Sequence, residues 1–276
     1  MQTEIIPERR RILSSLILVA LIFIIPSMVR SQMQDSMPIG PRFHYETGFD
    51  SNGAHGEILD WGKTLPLYKV YEGAPKIKLA GLSAESIPLN KAIMQRKSIR
   101  SFLKKSLDLE QIAQLLQAGD GITHYYKTYA LRAAPSGGAL FPIDMYVAAT
   151  GVDSLADGLY HFQISDSTLE LVKAGNFKDQ LFKASFEQGC VEGASVSIIL
   201  TARFPRSTKK YADRGFRYTY MEAGAISENI YLEATSLGLG TVSAGAFNDD
   251  ALNALLEIDG REEAALIIMP VGYPAE

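Results

Sequence analysis

With 276 residues, 47% of them hydrophobic and 21% charged, the chain can bury one full core but has little room for a second domain of ordinary size. Its net charge is −4, made of +2 on residues 1–31 and −6 on the rest, and an acidic body argues against nucleic acid, whose phosphates need a basic face. A single cysteine, Cys190, rules out an internal disulfide and any CxxC motif, and the scattered His44, His55, His124 and His161 lack metal-ligand spacing. Cys190 therefore reads as a small buried hydrophobe and the histidines as polar or edge residues.

Residues 12–29 (ILSSLILVALIFIIPSMV) are uncharged and mostly aliphatic, close to the ~20 residues of a spanning helix. Arg9, Arg10 and Arg11 precede this stretch and only Arg30 follows, an asymmetry that keeps the N-terminus inside and sends the remainder across the membrane. Residues 1–31 read equally as a transmembrane anchor or as a cleaved signal peptide, with Val29 and Ser31 as the small residues before the cut. The run Arg9-Arg10-Arg11-Ile12-Leu13 resembles a twin-arginine signal, which exports folded proteins. The expectation is a membrane-anchored or exported protein with its domain on the non-cytoplasmic side.

Residues 32–86 are rich in Gly, Pro and polar residues and read as a linker followed by an extended segment, whose apolar beads Trp61, Leu65, Leu67, Tyr68, Val70 and Tyr71 pack down on a domain spanning 87–276. Pro88, Leu89, Ala92, Ile93 and Arg96 predict a short amphipathic helix ending near Ser98. Asp108 with Gln111 forms a capping box, Leu109, Ile112, Ala113 and Leu116 one apolar stripe, and Gly119 the stop. Strands are predicted at 143–149, 158–164, 168–174, 194–204, 241–244 and 264–271, and helices at 176–186, 216–237 and 249–256. In the longest helix Tyr220, Ala223, Gly224, Ser227, Tyr231, Ala234 and Leu237 recur at three and four; small residues there let another helix approach, at the centre or at a subunit interface. Strands and helices in mixed order, without βαβ repetition, predict an α+β fold with a mixed sheet.

Three stretches carry candidate chemistry. Arg96, Ser98 and Arg100 place two guanidinium forks around a hydroxyl, a set that can hold phosphate; alone, it reads first as a basic helix end satisfying its own carbonyls. Pro135, Ser136, Gly137 and Gly138 after Arg132 form either a plain turn or a loop whose amides approach a ligand. Gly238, Gly240 and Gly245 follow a helix and lead into a strand, the reverse of the Rossmann order.

Together and in this order, RxSxR (Arg96, Ser98, Arg100), RxxPSGG (Arg132, Pro135, Ser136, Gly137, Gly138) and GLG(x)4GAF (Gly238 through Phe247) resemble the nitroreductase superfamily, in particular its SagB-type dehydrogenase branch. KYxxRGxRY (Lys210, Tyr211, Arg214, Gly215, Arg217, Tyr218) and Leu67-Tyr68-Lys69-x-Tyr71 extend the similarity over roughly residues 60–274. The resemblance implies a mixed β-sheet flanked by helices, a homodimer and two FMN sites at the subunit interface. It implies that Arg96, Ser98 and Arg100 contact the flavin, that Pro135, Ser136, Gly137 and Gly138 line it from the partner subunit, and that the amides of Gly245 and Ala246 face its reactive nitrogen. Lys210 and Tyr211 resemble the Lys-Tyr pair of azoline-oxidising members, an acid or base that needs burial or a neighbouring cation such as Lys209 or Arg214. The sequence departs from the pattern at Ala139, where many members carry asparagine, and stops at Glu276, short of a common basic extension, so the expectation is weaker FMN affinity or reliance on other cations.

The expected function is FMN-dependent hydride transfer to or from a small organic or peptide-derived substrate. The alternatives are an NAD(P)H-driven nitro or quinone reductase and a non-catalytic dimeric envelope binding module.

Overall fold

The computed structural model describes residues 38–48, 65–83, 86–126 and 129–275. The chain divides into two units, Met1–Gly53 and Ala54–Glu276. In the first, the described element is helix α1 (Ile39–Glu46), where Arg42 reaches Glu46 one turn on at 3.3 Å. The apolar stretch 12–29 and Trp61 lie outside the described residues; among the described residues no helix is long and apolar enough to cross a membrane.

The second unit begins with β1 (Lys76–Lys78), α2 (Leu89–Gln95), β2 (Leu107–Asp108), α3 (Leu109–Asp120), β3 (Ile122–Tyr126) and β4 (Tyr129–Arg132). A 3-10 turn (Gly137–Ala139) leads to β5 (Ile143–Ala149), β6 (Val152–Asp153), β7 (Gly158–Gln163) and β8 (Thr168–Ala174). Then follow α4 (Lys178–Ala184), α5 (Gly189–Gly193), β9 (Val196–Arg203), α6 (Pro205–Tyr211), α7 (Arg214–Ser236), β10 (Gly240–Thr241), α8 (Asp249–Leu256) and β11 (Glu263–Gly272). Seven strands form the main sheet in the order β1-β8-β7-β5-β9-β11-β10, with antiparallel ladders throughout. Parallel pairing enters at its edge, where Ser98 bridges Thr241 of β10, so the α+β fold has a mixed sheet.

Side chains on a strand alternate between faces, and here both faces are covered. Ile143, Met145 and Val147 of β5, with Ile198 and Leu200 of β9, pack with Ile112 and Leu116 of α3 and Ile226 and Ile230 of α7. Tyr146, Ala148 and Ile199 point the other way, to Leu181 of α4, Val191 of α5 and Leu252 and Leu256 of α8. The result is three layers with the sheet in the middle.

The capping box of α3 forms in both directions, Gln111 N–H to Asp108 Oδ1 at 2.7 Å and Asp108 N–H to Gln111 Oε1 at 3.1 Å. The helix does not stop at Gly119 but runs to Asp120, because Gly119 serves packing: a Cβ there would lie 3.1 Å from Ile230 Cγ1 and 3.2 Å from Met145 Sδ. Helix α2 ends at Gln95 rather than near Ser98, and of its apolar residues Ala92 is buried while Leu89 and Ile93 are exposed. The stripe read along α7 splits: Ala223, Ser227, Tyr231 and Ala234 are buried, whereas Tyr220 and Gly224 share an exposed face with Met221 and Glu228. His161 is not at an edge but in the sheet interior, 1% exposed, with polar neighbours: 3.1 Å from Glu170 and 3.7 Å from Asp144. Cys190 is buried, as read.

Residues 65–71 lie along the domain without a strand ladder, so their carbonyls need other donors. Arg206 Nη1 donates to Leu65 O at 2.5 Å, the Arg203 guanidinium to Pro66 O and Leu67 O at 2.7 and 3.0 Å, and Gln163 Nε2 to Lys69 O at 2.5 Å. Lys69 Nζ reaches Tyr146 Oη and Glu263, each at 2.6 Å. This strap is therefore held by side chains of β7, β9, α6 and β11, and the LYKxY motif is its anchor.

Candidate functional site

The first group of predicted residues gathers at the C-terminal end of α7. After α2 the chain turns extended at Arg96 and lies along β10, with Ile99 N–H donating to Thr241 O at 2.9 Å. Glycine is required opposite it, since a Cβ on Gly240 would fall 2.6 Å from Ile99 Cβ. Tyr231 of α7 ties the two segments together: its hydroxyl is 3.1 Å from Ser98 Oγ and accepts the Ser243 N–H at 2.8 Å. The Arg96 guanidinium lies 5.1 Å from the Tyr231 ring centre and 3.8 Å from Glu228, and Arg100 is exposed. A cavity of about 360 Å³ opens between Lys97, Ser98, Arg100 and Ala275. Gly245 and Ala246 follow on the same segment, exposed, and among the described residues their N–H groups have no acceptor.

The second group gathers at the other end of α7. Pro135 is exposed, Ser136 and Gly137 are half-buried, and Gly138 adopts φ 69°, the left-handed region that suits glycine. A Cβ on Gly138 would lie 2.6 Å from Tyr211 Oη and 2.8 Å from Lys210 Nζ, so both candidate acid-base groups converge on this turn. One on Gly137 would touch Tyr218 at 3.4 Å. Tyr218 stacks edge-on against Tyr211 with centroids 4.9 Å apart and accepts from Arg214 Nε at 3.2 Å. Lys210 and Tyr211 end α6, a helix rather than a loop, whose Arg206 donates to Leu140 O at 2.5 Å and thereby pins α6 to the turn.

Beneath the turn lies a buried cluster that the sequence reading missed. Arg132 pairs with Asp120 at 2.8 Å with both side chains nearly inaccessible, and Glu222 of α7 lies 3% exposed, its Oε1 buried and, among the described residues, without a hydrogen-bond partner. Burial pushes the Glu222 carboxyl up to about 8, an effect to which Asp120 adds and which Ser136, Arg132 and Arg206 only partly offset. Burial likewise raises Asp120 to about 7 against the pull of Arg132, and lowers Arg206 to about 10. The signal in the sequence was Glu222 itself, a charged residue three after Thr219 and four before Ile226 on the buried stripe of α7.

The structure thus joins RxSxR to the glycine-rich third motif, and PSGG to the Lys-Tyr pair. Within the chain these are two separate groups rather than one cradle. Their contacts on α7, Tyr218 and Tyr231, are thirteen residues apart, about 20 Å along the helix axis.

The Nitroreductase family model matches residues 93–273. A nitroreductase-named protein of Methanocaldococcus jannaschii is 34% identical over 192 residues, 70% of this chain and 94% of that one. The microcin B17-processing protein McbC of Escherichia coli is 27% identical over 148 residues, which are 51% of this chain and 54% of McbC. A nitroreductase-named crystal structure from Ralstonia eutropha superposes with a TM-score of 0.64 at 27% identity, covering 77% of this chain and 95% of that one. The family match runs through both groups, and the chain belongs to the nitroreductase family of oxidoreductases.

Proposed function

We propose that the protein is an FMN-dependent oxidoreductase that moves a hydride between the flavin and a small organic or peptide-derived substrate, with Lys210 or Tyr211 as acid or base. The convergence of Lys210 Nζ and Tyr211 Oη on the Gly138 turn carries this reading, because it puts two proton-transfer groups against backbone that only glycine leaves open. The residues fit the cofactor. Ser98 and Arg100 line an open cavity and suit its phosphate, with Arg96 two residues before Ser98 held against Tyr231, and the N–H groups of Gly245 and Ala246 suit an acceptor on its ring. Pro135, Ser136, Gly137 and Gly138 line it from the other half-site. Bound FMN would supply the redox chemistry, the protein its orientation and the proton path.

Two half-sites at opposite ends of one helix fit a homodimer in which a two-fold axis lays the first half-site of each protomer over the second half-site of its partner. The exposed face of α7, with Tyr220, Met221 and Gly224, supports that placement. The arginine asymmetry around residues 12–29 supports a domain on the far side of the membrane, anchored or released; loss of export of a reporter fused after residue 31 on removing the stretch checks it.

The full chain, purified in detergent, is expected to carry FMN, visible as flavin absorption. A colourless dimer that ignores added FMN would overturn the reading. Lys210→Ala is expected to keep FMN and to slow turnover by about two orders of magnitude or more; normal turnover removes Lys210 from the mechanism, and the same comparison on Tyr211→Phe tests the phenol. The 34% identity to the Methanocaldococcus protein favours a second reading, reduction of nitro or quinone compounds by NAD(P)H. Rapid bleaching of the flavin by NAD(P)H alone selects it, whereas a substrate that gives up hydride would itself bleach the flavin without such a donor.

A further inference from the structure

The extended segment after α2 serves a second cavity. From Arg96 to Lys105 it carries five cations (Arg96, Lys97, Arg100, Lys104 and Lys105) and no carboxylate, on a body whose net charge is −6. Its first half opens the cavity between Ser98 and Arg100. Its second half, with the β5–β6 connection and α5, lines another of about 300 Å³ that shares no residue with the first.

The backbone around this second cavity is fixed on three sides. Leu103 N–H donates to Tyr273 O at 2.8 Å, Leu107 N–H to Gly151 O at 3.0 Å, and Ser195 Oγ to Lys105 O at 2.7 Å. Phe102 lies over Gly272, where a Cβ would come within 3.0 Å of its side chain, and forms an aromatic wall.

Lys104 and Lys105 from the segment and Lys178 from α4 line the cavity. Among the described residues none of the three pairs with a carboxylate, and Lys105 instead lies 3.6 Å from the centre of the Tyr273 ring. Elsewhere on the surface lysines find acids, Lys76 with Asp166 and Glu170 and Lys173 with Glu257. Glu192 is the one acidic residue at the cavity, so three positive charges face one negative, +2 in all. The N–H groups of Lys104 and Ser106 have no acceptor among the described residues, which sets hydrogen-bond donors beside the charges.

Unpaired ammonium groups with N–H donors describe a place for an oxyanion. Lysines act as point charges with three donors each and suit the several oxygens of phosphate, whereas a planar carboxylate is better matched by an arginine fork. A lone phosphate would leave much of the volume empty, and Phe102 offers apolar surface for the remainder of a ligand.

We infer that this cavity binds an organic phosphate: Lys104, Lys105 and Lys178 take the phosphate group, and Phe102 packs against the carbon portion. The site is separate from the flavin cavity and does not depend on the flavin reading. A soluble phosphate ester and a phospholipid headgroup share this chemistry, and two arms of one experiment distinguish them.

The full chain, purified in detergent and mixed with excess FMN so that the Ser98–Arg100 cavity is filled, is titrated with phenyl phosphate at low salt by calorimetry. Saturable binding with a dissociation constant of about 1 mM or tighter is expected, about threefold or more tighter than inorganic phosphate. Changing Lys104→Gln together with Lys178→Gln is expected to weaken it by about tenfold or more, while Arg100→Gln stays within about threefold of the native chain. These lysines pair with no carboxylate, so the double variant is expected to fold as the native chain does. In the second arm, hydrogen exchange at residues 102–106 is followed in phosphatidylcholine nanodiscs with and without phosphatidylglycerol. Slower exchange with phosphatidylglycerol, lost in the double lysine variant, assigns the site to a headgroup; phenyl phosphate binding without that slowing assigns it to a soluble ester. No lysine-dependent effect in either arm overturns the proposal, as does phenyl phosphate binding that Arg100→Gln abolishes and the lysine changes leave intact. A native protein that takes up no FMN would sink the flavin reading, and the contrast between the lysine and Arg100 variants would still locate the phosphate.

Discussion

Gly138 and Gly240 each occupy a place where one added carbon collides with the site, and the two collisions differ in kind. At Gly138 the atoms met are Tyr211 Oη and Lys210 Nζ, the ends of side chains that can retreat, while the positive φ adds a backbone penalty of about 1 kcal/mol for alanine. Gly138→Ala is therefore expected to fold with a slightly lower melting temperature and to lose turnover by about a hundredfold through misplaced acid-base groups. At Gly240 the atom met is Ile99 Cβ, 2.6 Å away and fixed to the backbone, so the segment from Arg96 to Arg100 has to move. Gly240→Ala is expected to weaken FMN binding by about tenfold or more. Equilibrium FMN titration and steady-state kinetics on both variants check the contrast; an exchange of the two phenotypes would refute this division of labour. The motif residues themselves were legible because each motif is contiguous and its residue types announce their chemistry. Glu222, Asp120, Arg206 and Tyr231 were not, since their roles appear only when α3, α6, α7 and the turn are brought together.

Helix α7 does three jobs along its length. Ala223, Ile226 and Ile230 enter the core, Tyr218 and Tyr231 mark the two half-sites, and Tyr220, Met221, Gly224 and Glu228 face outward. Exposed Leu89, Ile93 and Met94 on α2 add to the apolar surface on this side of the sheet. A surface so apolar on two helices that contact each other is what a partner subunit would cover. Met221→Glu is expected to yield monomer by light scattering and to lose FMN together with the dimer, because each site would lack its second half; a monomer that keeps full FMN affinity would show that one chain suffices. At this scale the sequence spoke where structure is local. The α3 capping box and the α8 boundaries follow from neighbouring residues, whereas α6 (PRSTKKY) has no apolar stripe to reveal it and is anchored instead by Arg206 to Leu65 and Leu140. The β3–β4 pair was invisible for a similar reason: its tyrosines are exposed rather than alternating in and out of a core.

Across the whole molecule, composition and mixed element order led to the α+β class, but the sheet order did not follow, since β5 pairs with β9 some fifty residues later through contacts that no local pattern encodes. The same long-range assembly brings charges into the interior, and they set how stability depends on pH. Glu222, raised from 4.5 to about 8, and Asp120, raised from 3.8 to about 7, hold protons in the folded state that the unfolded chain has already released. His161 is raised as well: burial opposes its charge, but Asp144 and Glu170 outweigh burial. All three act with one sign, so their stabilisation is complete below the unfolded values and is lost as pH rises through the folded ones. Asp144 acts oppositely. Its burial is overcome by Arg203 at 2.5 Å and by His161, its carboxyl is held below the usual range, and the stability it gives disappears only in strong acid. The urea midpoint is therefore expected to fall steadily between about pH 5 and about pH 8.5, by an amount corresponding to a few kcal/mol. Glu222→Gln, which cannot ionise, is expected to flatten the part of that slope between about pH 5 and 8. A native profile that is flat or rising across this range would mean that Asp120 and Glu222 are both ionised in the folded protein, with Arg132 and Arg206 stabilising them more strongly than burial opposes them.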